Sequence, residues 1–194
     1  MKKIILSSAS PRRKELLEQI GVKFDIIVSD IDENIDGDMD PTEIVKKLAL
    51  MKAENVYDLE GNQDAIVIGA DTIVVHEGRV IGKPADEKDA FKILSSLSGN
   101  INYVYTGVAV VSSESVINFY EETKVYMKNM TEQDIYEYIK TSEPMDKAGA
   151  YGIQGIGAVF VEKIEGDYNN VVGLPLARLY DVMKELDENL IKWN

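Results

Sequence analysis

The 194 residues carry 34 acidic side chains against 21 Lys plus Arg, a formal net charge of -13, which argues against general binding to nucleic acid or an anionic membrane but not against a local basic pocket. Cysteine is absent and His76 is the single histidine, so disulfides, thiolate nucleophiles, Cys-based zinc sites and multi-His metal sites within one chain are excluded, and a Ser-His-Asp triad would have to use His76. Hydrolytic chemistry would rest on carboxylates, lysines, arginines and a hard metal ion.

At 45% hydrophobic and 28% charged residues, the composition is that of a globular protein, organised as one large domain or two closely joined lobes. No apolar run is long enough to span a bilayer, and "MKKIILSSASPRR" is too short in apolar residues for a signal peptide. A cytoplasmic protein is the expectation.

Residues 3–8, "KIILSS", read as a short buried strand. Residues 11–20 follow as a helix, with Leu16, Leu17 and Ile20 at helical spacing and Gly21 ending it. "VKFDIIVSDI" reads as a second strand. A helix is predicted from Pro41 to about Leu59, with Asp40 as N-cap and Glu43 completing a capping-box-like pattern. "AIVIGADTIVV" is a long buried strand that turns back through Glu77-Gly78 as a hairpin. Asp86 caps a helix ending at Gly99. "NYVYTGVAVV" and "VINFYEETKVYM" are strands, and Thr131 and Asp134 frame a helix to about Lys140. "AVFVEKIEGDYNNVVG" reads as a strand, a turn and an extended return, before a last helix from near Pro175 carrying Leu176, Leu179, Tyr180, Met183 and Leu186. Interleaved strands and helices with at least two hairpins indicate an α/β fold with a mixed sheet.

"SSASPRRKELL" places Arg12 and Arg13 in the first turn of a helix, where the dipole disfavours cations. An anion bound there would resolve the conflict: first-turn amides, hydroxyls of Ser7, Ser8 or Ser10 and two guanidiniums could surround a phosphate. The alternative is that both arginines lie in solvent or pair with surface acids. The segment is not a P-loop, because the Gly-x4-Gly-Lys-Ser/Thr spacing is absent. Residues 32–43, "DENIDGDMDPTE", fit an EF-hand loop at Asp32, Asn34, Asp36, Gly37 and Glu43. The preceding segment reads as a strand and no partner loop occurs, so this reading is set aside for a solvated loop, of which one or two acids could reach a metal.

Asp71 stands in an otherwise almost wholly apolar run, and burying an unpaired carboxylate costs several kcal/mol. It is either half of a structural salt bridge or a metal ligand or general base. Thr72 beside it is a β-branched strand residue or faces the same pocket. Lys52 and Lys83 are either surface charge or ligands of an anion. "DKAGAYGIQGIG" is glycine-rich but fails G-x-G-x-x-G. Gln154 within it either sits in a surface turn or uses its amide to read a base edge.

Together "SSASPRRKELL", "GADTIVV", "GKPAD", "EPMDKAGAYGIQG" and "GDYNNVVGLP" resemble the Maf family of nucleoside triphosphate pyrophosphatases over nearly the whole chain, and most closely the branch acting on dTTP and UTP. The resemblance implies an elongated mixed α/β sheet flanked by helices with a central cleft, as in inosine triphosphatases. It implies hydrolysis between the α- and β-phosphates of a nucleoside triphosphate, a divalent cation (Mg²⁺ or Mn²⁺), a cytoplasmic location and, commonly in the family, a homodimer.

By position, Asp71 matches the family's proton acceptor and, with Glu33, a metal-holding acid. Ser8, Arg13, Lys52 and Lys83 match residues lining the triphosphate, and Arg12, Thr72 and Gln154 match positions of substrate choice. The branch acting on 7-methyl-GTP carries Trp, Gln and Glu at those last three places. A neutral amide at Gln154 suits the O4 acceptor and N3–H donor of uracil or thymine. The rival readings are a calcium-binding module through residues 32–43 and a non-catalytic nucleotide-binding regulator of septum formation.

Overall fold

The computed structural model describes residues 2–34, 39–59, 61–188 and 190–191. A seven-stranded mixed sheet runs in the order β2-β1-β3-β5-β6-β7, with β4 paired to β3 off this path. Its strands are β1 (Ile4–Ser7), β2 (Asp25–Ile26), β3 (Ile66–His76), β4 (Arg79–Ile81), β5 (Ile101–Val111), β6 (Val116–Met127) and β7 (Val161–Glu165). The helices are α1 (Pro11–Gln19), α2 (Pro41–Tyr57), α3 (Glu87–Leu97), α4 (Glu132–Lys140), α5 (Tyr168–Val172) and α6 (Leu176–Leu186). Parallel pairing of β1 with β2 and β3, and antiparallel pairing of β4 with β3 and β7 with β6, make the sheet mixed, as the alternation of elements predicts.

Two compact units share the chain. The first holds Met1–Asp71, Thr106–Glu121 and Gly173–Asn194, and the second Thr72–Tyr105 and Glu122–Val172.

In the first unit, Pro11 opens α1 and Gly21 follows it at φ 73°. The Asp40 side chain accepts the Thr42 N–H at 2.9 Å and starts α2. Glu43 does not close the expected box. Its carboxylate reaches forward to Lys46 at 2.5 Å, while the Thr42 hydroxyl takes up the cap. The core is built from Ile5, Val67, Ala109 and Val111 of the sheet against Ala49, Ala53 and Val56 of α2.

Small residues let helix and sheet come close. A methyl group at Gly69 would fall on the Ala49 carbonyl oxygen and within 2.8 Å of Ala53 N, and one at Gly107 would fall on the Val45 carbonyl. Arg178 holds α6 by donating to Glu121 at 2.7 Å and to the Tyr120 carbonyl at 2.9 Å, with its guanidinium 4.5 Å from the centre of the Phe119 ring.

In the second unit, Glu77 (φ 49°) and Gly78 (φ 75°) both take the left-handed conformation that a two-residue hairpin turn requires. Asp86 accepts the Asp89 N–H at 2.8 Å, and Thr131 with Asp134 forms a complete capping box. Leu94 and Leu97 of α3 and Ile135, Tyr138 and Ile139 of α4 bury against Val104, Val125 and Met127.

Two predicted elements differ. The second strand is only two residues long and exposed, because it is an edge strand that pairs with β1 at Ile5 and Leu6 alone. The predicted extended return after Gly166 is helix α5. Asp167 accepts the Asn169 N–H at 2.8 Å, and the buried Asn170 donates to the Val104 carbonyl at 3.0 Å and to Thr123 Oγ1 at 2.9 Å. Polar side-chain bonds therefore set that conformation, and hydrophobic periodicity does not report them.

Gly69→Ala should lower unfolding stability by about 2 kcal/mol in a urea titration, because the added methyl forces backbone off backbone. An unchanged midpoint would show that α2 can move away without loss.

Candidate active site

β1 ends at Ser7 and α1 begins four residues later, so Ser8, Arg12 and Arg13 lie beyond the carboxyl end of a parallel strand, where α/β sheets place ligands. Ser10 stands at the N-cap of α1, but its hydroxyl makes no capping bond. Instead the backbone N–H of Ser10 donates to Ser8 Oγ at 3.2 Å, and Arg13 Nη1 donates to the same oxygen at 3.1 Å. Two acceptances use the lone pairs of Ser8, which leaves its O–H as the group it can direct at a ligand.

Arg13 also donates from Nε to the Gly173 carbonyl at 2.8 Å. Burial lowers the Arg13 pKa from the ordinary guanidinium value. Asp71 acts against that, Arg12 adds to it and Glu33 acts against it. The guanidinium therefore lies within the field of both predicted acids. Arg12 is half-buried on the same turn.

Lys52 is a buried residue of α2. Its ammonium donates to Asp71 Oδ1 at 2.7 Å and reaches Glu33 Oε1 at 3.1 Å. Asp71 is buried as well, with only 11% of its side chain exposed, whereas Glu33 is 59% exposed. Glycine at position 69, two residues before Asp71 on the same face of β3, lets α2 seat closely enough for this contact. Ser7 adds a bond from its hydroxyl to the Lys52 carbonyl at 2.8 Å.

β3 pairs with β1 from Ile66 to Gly69 and with β4 from Val74 to His76, and Asp71 falls in the interval between those two ladders. The structure thus gathers Ser8, Arg13, Glu33, Lys52 and Asp71. The alternative in which Lys52 is surface charge does not hold.

The remaining predicted residues belong to the second unit. Thr72 follows Asp71 on β3, and strand alternation sends its side chain to the opposite face. Lys83 is exposed in the loop after β4. Its neighbour Gly82 accepts the Gly149 N–H at 3.1 Å, which joins the "GKPAD" loop to the glycine-rich segment. Gln154 is half-buried, and its side chain does not cap the 3-10 turn Gly155–Phe160 that it precedes. His76 is buried, with Nδ1 2.9 Å from the Ile101 carbonyl oxygen, so its ring is engaged with backbone.

Sequence reasoning offered the Ser7 hydroxyl to a phosphate, whereas that hydroxyl donates to the Lys52 carbonyl; it gave no role to Gly173. The signal for Gly173 was its place in "GDYNNVVGLP"; its φ of 125° favours glycine there. Asp36 and Gly37 of the EF-hand-like pattern lie outside the described residues.

No group of three or more His, Asp or Glu suited to a metal occurs among the described residues. The donor set at Lys52 is two carboxylates, one buried and one open to solvent. Two hard oxygen ligands fit a cation of the magnesium type, which completes its shell with water and phosphate oxygens.

A family model described as Maf-like protein matches residues 3–186. The chain belongs to this family. The Maf-like chain is 52% identical over 187 residues to a protein of Bacillus cereus (strain G9842) named dTTP/UTP pyrophosphatase, covering 96% of this chain and 97% of the relative. A protein of the same name from Bacillus cereus (strain ATCC 10987 / NRS 248) is 52% identical, covering 96% and 91%. One from Bacillus thuringiensis subsp. konkukian (strain 97-27) is 51% identical, covering 96% and 97%. No helix among the described residues is long and apolar enough to cross a membrane.

Lys52→Met should cost about 3 kcal/mol in urea unfolding at neutral pH, because it strands the Asp71 carboxylate. Adding Asp71→Leu should restore most of that loss. A single variant as stable as the parent would mean that water reaches the pair.

Proposed function

We propose that this Maf-like chain is a nucleoside triphosphate pyrophosphatase that hydrolyses dTTP and UTP to the monophosphate and pyrophosphate. Water attacks the α-phosphorus, and the bond from that phosphorus to the oxygen bridging toward the β-phosphate breaks. The observation that carries the reading is a buried carboxylate, Asp71, held by the Lys52 ammonium at 2.7 Å beside the Arg13 and Ser8 pair. Relatives half identical over nearly the whole chain and named for this reaction support it.

Asp71 is the general base. Its carboxylate oxygen accepts a proton from the attacking water, and Lys52 keeps it oriented until substrate enters. Triphosphate oxygens then compete with the carboxylates for the ammonium. As Lys52 shifts toward them, the Asp71 lone pair becomes available to water. Arg13 and Lys52 stabilise charge on the departing pyrophosphate, and Ser8 donates a hydrogen bond from its hydroxyl to a phosphate oxygen.

Glu33 and Asp71 would hold a divalent cation, which when bound neutralises phosphate charge and polarises the phosphoryl oxygens. Gln154 selects the base. The Gln154 NH₂ donates to O4 of uracil or thymine, and its carbonyl accepts the N3–H.

Pyrophosphate release measured with dTTP, UTP, CTP and GTP tests the reading. The first two should be the good substrates, and release of single phosphates instead would overturn the assignment of the cleaved bond. Asp71→Asn should lower kcat by roughly 10³-fold with an unchanged circular dichroism spectrum, whereas near-parental turnover would remove Asp71 as the base. Gln154→Glu should cut kcat/KM for UTP about tenfold or more while the melting temperature holds, and an unaltered substrate profile would count against base readout.

A further inference from the structure

Between Tyr151 and the turn Gly155–Phe160 the chain has no ladder or helix of its own, and Gly152, Gly155 and Gly157 make it intrinsically loose. Two side chains fasten it. Tyr138 of α4 is buried, with its ring centroid 5.2 Å from that of Phe160. Its hydroxyl oxygen accepts the Gly152 N–H at 3.3 Å, and its O–H donates to Glu143 Oε1 at 3.0 Å. Glu143 then uses both oxygens on the far side of the segment, accepting the Gly157 N–H at Oε1 and the Ile156 N–H at Oε2, each at 2.9 Å.

The glycines are shaped to this arrangement. A methyl group at Gly157 would lie 2.5 Å from the Tyr138 hydroxyl, and one at Gly155, where φ is 70°, would lie 2.7 Å from Glu143 Oε2. Lys147 holds the base of the clamp by donating to the Glu143 carbonyl oxygen at 2.6 Å. Gln154 is therefore gripped two residues before and two to three residues after its own position.

We propose that Glu143 and Tyr138 are positioning residues for nucleotide selection: they clamp residues 152–157 so that the Gln154 amide meets the base in one place, and they do so without touching the nucleotide. The inference rests on Gln154 reading the base as described above. A segment free to shift by an ångström would let the amide turn over and meet the amino group and N3 of cytosine as well as the O4 and N3–H of uracil.

The clamp is an ionic one. Partial burial works to raise the Glu143 pKa, but the Gly157 and Ile156 N–H groups, the Tyr138 hydroxyl and Lys147 outweigh it, and the net shift is downward. Burial, together with the hydrogen bond to Glu143, pushes the Tyr138 pKa well up, so its hydroxyl keeps its proton. A carboxylate whose folded-state pKa is depressed contributes fully above its unfolded value and is lost only as pH falls through the folded one. The clamp is thus complete at neutral pH and opens only in acid below the ordinary carboxylate range.

The test is the ratio of kcat/KM for UTP to that for CTP, measured by pyrophosphate release at neutral pH. Glu143→Gln should lower the ratio about tenfold, mainly through a higher KM for UTP, and Tyr138→Phe, which keeps the ring, about threefold. In a Gln154→Ala background, Glu143→Gln should leave the ratio where Gln154→Ala alone puts it, since the two act through one contact. A lower melting temperature with an unchanged ratio in both single variants, or full additivity with Gln154→Ala, would overturn the clamp and leave the proposed reaction standing. Should Glu143→Gln fail to fold, Tyr138→Phe decides alone. A parent protein that releases no pyrophosphate from UTP would overturn the proposed reaction, and the clamp with it.

Discussion

Lys52 is an ammonium on the inward face of a helix, and removing it from water costs several kcal/mol unless carboxylates replace the lost hydration. Asp71 and Glu33 do so at 2.7 and 3.1 Å. Such a pair adds little to stability compared with well-packed hydrophobic residues, yet it fixes where three charges sit. That fixity depends on backbone. α2 must lie almost on β3, which only a glycine at position 69 and alanines at 49 and 53 permit. A chain with net charge -13 can thus maintain a buried ammonium at a fixed position, because local geometry rather than overall charge sets the potential at short range.

The same centre accounts for arginines at a helix start. Arg13 does not point into the dipole without compensation. Its guanidinium is tied to a serine hydroxyl and a carbonyl and is faced by two carboxylates. The protein holds opposite charges close together without letting them collapse into a neutral, fully satisfied knot, since Glu33 remains largely in solvent. An arrangement of that kind can exchange its internal carboxylate contacts for those of a polyanion.

Much of this was legible in the sequence, and the reasons differ from element to element. β1, β3, β5 and β6 follow from long apolar or alternating runs, and α2, α3 and α4 from caps at Asp40, Asp86 and Thr131. Asp71 drew attention as the one acid in an apolar strand, and burial is what its surroundings dictated. Lys52 gave no comparable signal, because a lysine on a helix is usually exposed; only the close approach of α2 to β3, a tertiary property, buries it. α5 was hidden for a related reason, since Asn170 reaches partners on β5 and β6, 66 and 47 residues away. Glu143 and Tyr138 were invisible as a pair because their shared partners are backbone amides of a glycine-rich turn, which no residue pattern announces.

The Arg13 anchor spans a sequence distance of 160 residues, from the start of α1 to the carbonyl of Gly173, whereas the Lys52–Asp71 contact spans 19. During synthesis, at roughly 5–20 residues per second, Lys52 and Asp71 emerge close together in time, whereas the Gly173 carbonyl emerges long after Arg13. Vectorial translation therefore presents the partners of Lys52 and the Ser8 partner of Arg13 well before the Gly173 carbonyl. The second anchor of the Arg13 guanidinium is available only to chains grown past Gly173.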